Sequence, residues 1–453
     1  MSSAVSATGG ANGIGSMNYL LNSLYLTGPG AGFTATGNPT LFLYNESFVP
    51  QYSTFYNSNY IAVSSMSTGT GASPSYPVYA NGAGLTGSYT VPAGNGYYVY
   101  YRGNLSEGAA NLTNPSYSPV LGTVATTTGT LNQGQVNFAA WYAPSSSTFG
   151  GVSQYWYLVG NPYASAIDLA TVQFTSTSSG GIYMTPWNSG TGTGITNFVY
   201  ELQAANGIYA IYSTNPATPS TAKASEFIGS GQGFMIEAYG ANSSQLVFNE
   251  SAKASSANAN LPPGFMSKRI NNLAAINPGV PNPVLRLTMN LDSINNEETI
   301  ITFNPKSSTG FVINEDARHW KGNGLIGFTS ISSDNVPLAI NSLPLAATQT
   351  IPLRTVATND GLYNISFSQQ AAALPALYDI WLMDAYKKDS LDIKDNPTYN
   401  FDILHSDTNS YGDHRFSLVI RQNPALMVHL LSFNAIKATG GDNVLWTTEN
   451  EAN

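Results

Sequence analysis

Apolar residues in this chain gather in short runs stopped by Gly, Asn or Pro, and none takes the spacing of a long amphipathic helix. "TLFLYNES" (40–47), "GYYVYYRG" (96–103), "GIYAIYS" (207–213) and "GFMIEAYG" (233–240) are of this kind. Aromatic and β-branched side chains between turn formers read as strands. In "VLRLTMNL" (284–291), Leu285, Leu287, Met289 and Leu291 point one way and Arg286, Thr288 and Asn290 the other. "LYNISF" (362–367) repeats the alternation with Tyr363, Ile365 and Phe367. Period two with one polar face marks antiparallel sheets packed on one side. The predicted fold is all-β, with tandem antiparallel β-sandwich modules of jelly-roll or immunoglobulin-like type.

Charge restricts the function classes. Only 9% of the 453 residues are charged, against about 25% in ordinary soluble domains. With 42% hydrophobic and 12% aromatic residues the chain can build cores, so it is not a charged disordered polymer. A net charge of −9 leaves no electrostatic footprint for nucleic acid. The absence of cysteine removes disulfides, thiolate metal sites and cysteine nucleophiles. No apolar run approaches the ~20 residues of a membrane-spanning helix. Abundant uncharged polar residues and Tyr point to an extracellular or cell-surface chain. The opening "MSSAVSATGGANGIG" has neither a charged nor an apolar leader region, so an exported form is expected to be a mature or partial chain.

An internal repeat organises the first half. "AGNGYYVYYRG" (93–103) aligns with "GSGQGFMIEAYG" (229–240), matching Gly94, Gly96, Tyr97 and Gly103 to Gly231, Gly233, Phe234 and Gly240. Nearly the same offset sets "NYLLNSLYL" (18–26) against "WYLVGNPYA" (156–164), each as a module's opening strand. The predicted organisation is a β module over 1–140, its repeat over 141–260, a linker over 261–283 and a β-sandwich domain over 284–428. Residues 429–453 start an immunoglobulin-like module or an exchanged strand segment. One hairpin cannot bury a core, so this last segment is expected to continue beyond the chain or to complete a sheet elsewhere.

"YLVGNPYASAID", followed by "GSGQGFMIEA" and "LVFNES", resembles large surface proteins of Bacteroidota exported by the type IX secretion system. "ETIITFN", "EDARHWKG", "LAINSLP", "IPLRTV", "DIWLMDAYKKDSLDI", "YNFDI" and "DHRFSLVI" continue the resemblance in the same order. "LLSFNAIKATGGDNVLWTTENEAN" looks like the start of the immunoglobulin-like module that precedes their C-terminal sorting domain. The resemblance implies secretion, contact with the type IX machinery during export and cell-surface display. It implies no single biochemical activity. "DSI" (292–294) and "DSL" (389–391) look like the Asp-Ser/Thr-apolar O-glycosylation acceptor of that phylum, with Ser293 and Ser390 as the modified residues.

Other motifs carry bland readings beside their chemical ones. "GAGLTG" (82–87) fits the dinucleotide pattern through Gly82, Gly84 and Gly87, but a strand-like "SYTV" follows where a helix is needed. His405 and His414, with Asp407 and Asp413, are either a metal cluster or a polar loop between two strands, and the loop is preferred. Asp384, Asp389, Asp392 and Asp395 lack the regular calcium-loop pattern, and Lys387, Lys388 and Lys394 partly neutralise them. "YYVYYRG" puts Tyr98 and Tyr100 on one face and Tyr97, Val99 and Tyr101 on the other. Tyr98 and Tyr100 either form a contact surface for glycans or a partner subunit, or pair with aromatics across the sheet.

No G-x-S-x-G or H-E-x-x-H motif occurs. The expected function is that of a non-enzymatic, extracellular structural or adhesive surface protein. It needs no cofactor or metal and associates with itself or with other surface proteins, in one form as a filament built by strand addition. The alternative is a carbohydrate-binding surface module attached to a larger secreted protein or enzyme. A hydrolase would require two acids meeting in a cleft, which sequence alone does not display.

Overall fold

The protein is described by a computed structural model. It covers residues 1–6, 17–45, 59–66, 76–79, 86–111, 123–126, 129–142, 155–178, 181–186, 194–238, 245–254, 282–320, 322–368, 374–375, 377–423 and 429–449. The fold is all-β, as the alternation predicts, and almost every strand pairing is antiparallel. Asn296–Phe303 with Pro337–Leu343, and Thr27–Gly28 with Ala35–Thr36, are parallel exceptions. The chain divides into two compact units, one of Met1–Ala204, Tyr209–Pro216 and Ala222–Pro278, the other of Ala205–Ile208, Ala217–Thr221 and Gly279–Asn453. Of the predicted linker 261–283, only 282–283 lies among the described residues.

The first unit holds a five-stranded sheet ordered Thr86–Tyr89, Tyr76–Tyr79, Tyr60–Val63, Leu41–Tyr44, Tyr98–Val99. Leu41, Leu43, Ile61 and Val63 alternate onto its core face. Beside it, two four-stranded sheets share a second core. Val136, Phe174, Leu246 and Phe248 come from one, and Tyr157, Val159, Val199, Phe234 and Ile236 from the other. This is a sandwich: the inner faces of two sheets bury one another.

The repeat signal has a local structural counterpart. Gly94 and Gly231 both adopt positive φ, 88° and 75°, a conformation nearly free of cost only without a Cβ. The following glycines then meet one strand, Tyr155–Gly160: Gly160 pairs with Gly233, and Gly96 N–H donates to Leu158 at 3.0 Å. The segment 18–26, predicted as a strand, is instead a 3₁₀ helix over Asn18–Asn22. Tyr19 and Leu20 are buried on it, and Leu24 is buried just beyond its end. That spacing suits a turn better than a strand, and Leu20 N–H and Ser23 N–H close local bonds to Met17 and Leu20.

The second unit is dominated by an eleven-stranded sheet. Its path begins Asp389–Asp392, Tyr378–Asp384, Gly412–Gln422, Thr348–Ala357, Ile326–Ile331. It continues Pro337–Leu343, Asn296–Phe303, Val284–Asn290, Gly361–Phe367, Thr398–Ile403, with Ala317–Arg318 added beside Pro337–Leu343. The two end strands are consecutive in the chain. Tyr399 Oη donates to Asp384 Oδ2 at 3.1 Å, from one end of the path to the strand next to the other. The sheet is nearly a barrel, and coiling of this kind leaves little open edge.

Leu285, Leu287 and Met289 are fully buried inside it, each stabilising the fold by about 1.5–3 kcal/mol. The polar face predicted for that strand is covered in part. Arg286 is buried because its guanidinium bridges Glu298 at 3.2 Å and the Ser220 carbonyl at 3.0 Å. No helix among the described residues is long and apolar enough to cross a membrane.

Candidate functional site

The stretch "YWYLVGNPYASAID" leads to a group of acids that burial holds above the usual carboxylate range. Its first strand stops at Gly160, and Asn161 organises the turn. Asn161 is fully buried. Its Nδ2 lies 2.8, 3.0 and 3.1 Å from the carbonyls of Ser165, Ile228 and Gly229. Its Oδ1 accepts from Tyr163 N–H at 2.9 Å. This network brings Ile167–Asp168 into antiparallel register with Phe227–Ile228, and Leu169 N–H donates to the Glu226 carbonyl at 3.0 Å.

Register then sets the side chains. Asp168 and Glu226 are half-buried and hydrogen-bond to each other. Burial raises both above the usual carboxylate range, and the charge of Asp168 raises Glu226 further. Two carboxyls this close share a proton, because both cannot ionise cheaply. Asp168 Oδ1 also accepts from Ala170 N–H at 2.9 Å, which favours its ionised form, so Glu226 is the donor of the pair.

Glu201, from the strand Ile195–Gln203, is only 2% exposed and accepts from Ser225 N–H at 2.9 Å. Burial pushes it up to about 8. Tyr212 is kept neutral first by burial, then by the charges of Glu226, Asp168 and Glu201. Chemically, burial makes these acids hold their protons more tightly than ordinary carboxyls do. Sequence reasoning passed over it. The available signal was an acid inside the apolar run "NFVYELQ", where a glutamate has to be neutral or paired.

The residues singled out by sequence are dispersed. His405 Nδ1 contacts Asp360 Oδ1 at 2.5 Å and its Nε2 contacts the Ala357 carbonyl at 2.9 Å. Asp413 pairs with Arg354 at 3.2 Å, and Asp407 caps the 3₁₀ turn Thr408–Ser410. Asp384 lies in the core against Arg415 at 2.9 Å, Asp389 and Asp392 accept from nearby backbone N–H groups, and Lys387 reaches Asp402. Among the described residues no group of three or more His, Asp or Glu is placed to hold a metal ion. Gly82 and Gly84 lie outside the described residues, whereas Gly87 sits within the strand Thr86–Tyr89. Ser293 is exposed in the turn after Val284–Asn290, and Ser390 is exposed on the edge strand Asp389–Asp392.

Tyr98 and Tyr100 part company. Tyr98 is half-buried opposite Phe42, its ring 6.4 Å from that of Phe42 and 5.5 Å from that of Tyr60. Tyr44 extends this row, 5.1 Å from Tyr60. Tyr100 is 53% exposed with the Arg102 guanidinium 5.2 Å from its ring centre. Tyr97, on the opposite face, is buried and shares a 2.5 Å hydroxyl contact with Tyr19.

The C-terminal strands His429–Ala438 and Gly441–Glu449 form a two-stranded sheet of their own. Opposed residues of an antiparallel pair share a face. Phe433 opposes Trp446 and Ala435 opposes Val444 on one face, whereas Asn434 opposes Leu445 and Ile436 opposes Asn443 on the other. Phe433 is 65% and Trp446 63% exposed, with Leu431 and Val444 exposed beside them. Phe433, Trp446 and Val444 thus form an exposed apolar cluster on a face that also carries the opposed pair Lys437 and Asp442, and Leu445 and Ile436 are exposed on the other face.

A family model described as Domain of unknown function (DUF8693) matches residues 44–419. No curated protein and no solved structure matches the chain.

Proposed function

We propose, from the premise that this chain belongs to the DUF8693 family, that it is a non-enzymatic structural or adhesive protein of the cell surface. It reaches the surface through type IX export and associates with further copies of itself. The observation that carries this reading is the hairpin His429–Glu449, whose opposed pair Phe433–Trp446 is apolar and exposed. An isolated hairpin is marginal in water, and a third strand or a second layer stabilises it. Its backbone edges suit strand addition, in which main-chain bonds supply affinity and alternate side chains supply specificity. Low charge density weakens like-charge repulsion between copies. Sedimentation velocity and electron microscopy of purified protein test the proposal. Assemblies that dissociate in a Phe433→Ser/Trp446→Ser variant are expected; a wild-type protein that stays monomeric at high concentration overturns it.

A second reading, a carbohydrate-binding surface module, draws on Tyr100. An exposed ring backed by a guanidinium stacks on a sugar face, and Tyr offers a hydroxyl as well. Glycan-array binding abolished by Tyr100→Ala, with assembly absent, favours it over the first. Ser293 and Ser390 remain the proposed O-glycosylation positions, and both are exposed. Peptide mass spectrometry of native protein showing both unmodified removes that proposal.

A further inference from the structure

The hairpin His429–Glu449 has two outer edges, and among the described residues neither is paired to a further strand. The two edges differ. A β-bulge interrupts the register of His429–Ala438 between Leu430 and Ser432. A bulge twists an edge and protects it from further pairing. On the other side, every residue from Gly441 to Thr447 is in regular register with its neighbour strand. Asn443–Thr448 contains neither proline nor a charged residue. Gly441–Glu449 is therefore the edge open to strand addition.

The turn fixes which backbone groups of that strand face outward. Only Thr439 and Gly440 separate the paired residues Ala438 and Gly441, so these two exchange backbone hydrogen bonds as in a two-residue hairpin. Hydrogen-bonded and non-hydrogen-bonded pairs then alternate along the ladder. Ile436 with Asn443 and Asn434 with Leu445 bond across the hairpin, whereas Asp442, Val444 and Trp446 turn their N–H and C=O groups outward. Val444 and Trp446 lie symmetrically about Leu445, the midpoint of Gly441–Glu449.

Resting on the self-association proposed above, we propose that Gly441–Glu449 pairs antiparallel with the same strand of a second copy, about a twofold axis at Leu445. In this register Val444 of each copy exchanges two backbone bonds with Trp446 of the other, and the whole strand is overlapped. Registers centred on Val444 or Trp446 also satisfy the alternation, but both leave the ends of the strand unpaired, and the first sets Asp442 against Trp446. Opposed residues share a face, so a row runs from Phe433 through Trp446 to Val444 and Ala435 of the second copy. Leu445, exposed on the other face, meets its own counterpart. The charges fit as well. Asp442 opposes Lys437 within the hairpin and the neutral Thr448 across the join. An isologous join of this kind closes at two copies.

The chain has no cysteine, so introduced thiols read the register in the whole protein. Leu445→Cys places two thiols on a non-hydrogen-bonded pair whose Cα atoms lie about 4.5 Å apart, within disulfide reach. Asn443 is opposed by Thr447 of the second copy, and its own counterpart lies roughly 14 Å away along the strands. Under diamide oxidation, Leu445→Cys is expected to form a disulfide dimer at least about tenfold faster than Asn443→Cys or Thr447→Cys alone, because opposed thiols meet at the effective concentration of a bound pair. Asn443→Cys and Thr447→Cys, mixed before concentration, are expected to recover the fast rate. That mixture also carries the test where Leu445→Cys does not fold. Equal rates for the three single variants, or no gain on mixing, overturn the twofold register. Where the wild type still sediments as an assembly, that result leaves self-association standing; a monomeric wild type overturns both.

Discussion

Asn161 shows how one buried amide can set a loop. Its side chain serves three carbonyls and one N–H, and no apolar residue could replace it. Asn161→Ala strands those groups, at about 1–3 kcal/mol for each left unpaired. A lower denaturant midpoint with unchanged slope is the expected reading. Glu201 gives a second prediction at this scale. Its value near 8 exceeds the ordinary 4.5, so the unfolded chain releases the proton first. Its contribution to stability is then complete below about pH 4.5 and falls by about 1.4 kcal/mol per pH unit until about pH 8. Denaturation curves across that range should lose part of their pH slope in Glu201→Gln relative to the wild type. Arg415 is a third case, fully buried against Asp384 and close to the rings of Phe401 and Phe416. Arg415→Met leaves an unpaired buried carboxylate and is expected to cost about 3–5 kcal/mol. Adding Asp384→Leu should recover much of that loss, because paired apolar replacements remove the desolvation penalty.

At the scale of elements, strands were largely legible and their surroundings were not. Alternation in 284–291 and 362–367 identifies strands whose odd-numbered residues fill the core of the second unit. It does not reveal that Arg286 on the other face would be buried, because its partners come from residues 220 and 298. The 3₁₀ turn at 18–22 is hidden in the sequence for a related reason: in a short apolar run, strand and helix spacing overlap. One loop tie yields a pH prediction. The Asp360 carboxylate and the Ala357 carbonyl raise His405, while the His405 backbone and ring lower Asp360. The histidine contribution is complete below its ordinary value and fades as pH rises through the raised one. The aspartate contribution fades as pH falls through the lowered one. NMR titration should find the tie between 357–360 and 405 firmest between those limits. Among hairpins, the exposed Phe433–Trp446 pair is the element on which the assembly proposal stands or falls.

For the molecule as a whole, the sequence by itself determined the all-β class, because period-two alternation and frequent turn formers are local properties of neighbouring residues. It also located the strands Tyr155–Gly160 and Gly233–Ala238, and the glycines that precede the latter and its echo near residue 94. The near-closure of the eleven-stranded sheet, in which Tyr399 reaches Asp384, was decided only by tertiary structure. So was the meeting of Asp168, Glu201 and Glu226 around one short segment. The physical reason is the same in both cases. A carboxyl's protonation and a sheet's last pairing depend on groups far away in sequence, whose proximity exists only after the intervening strands have chosen their partners.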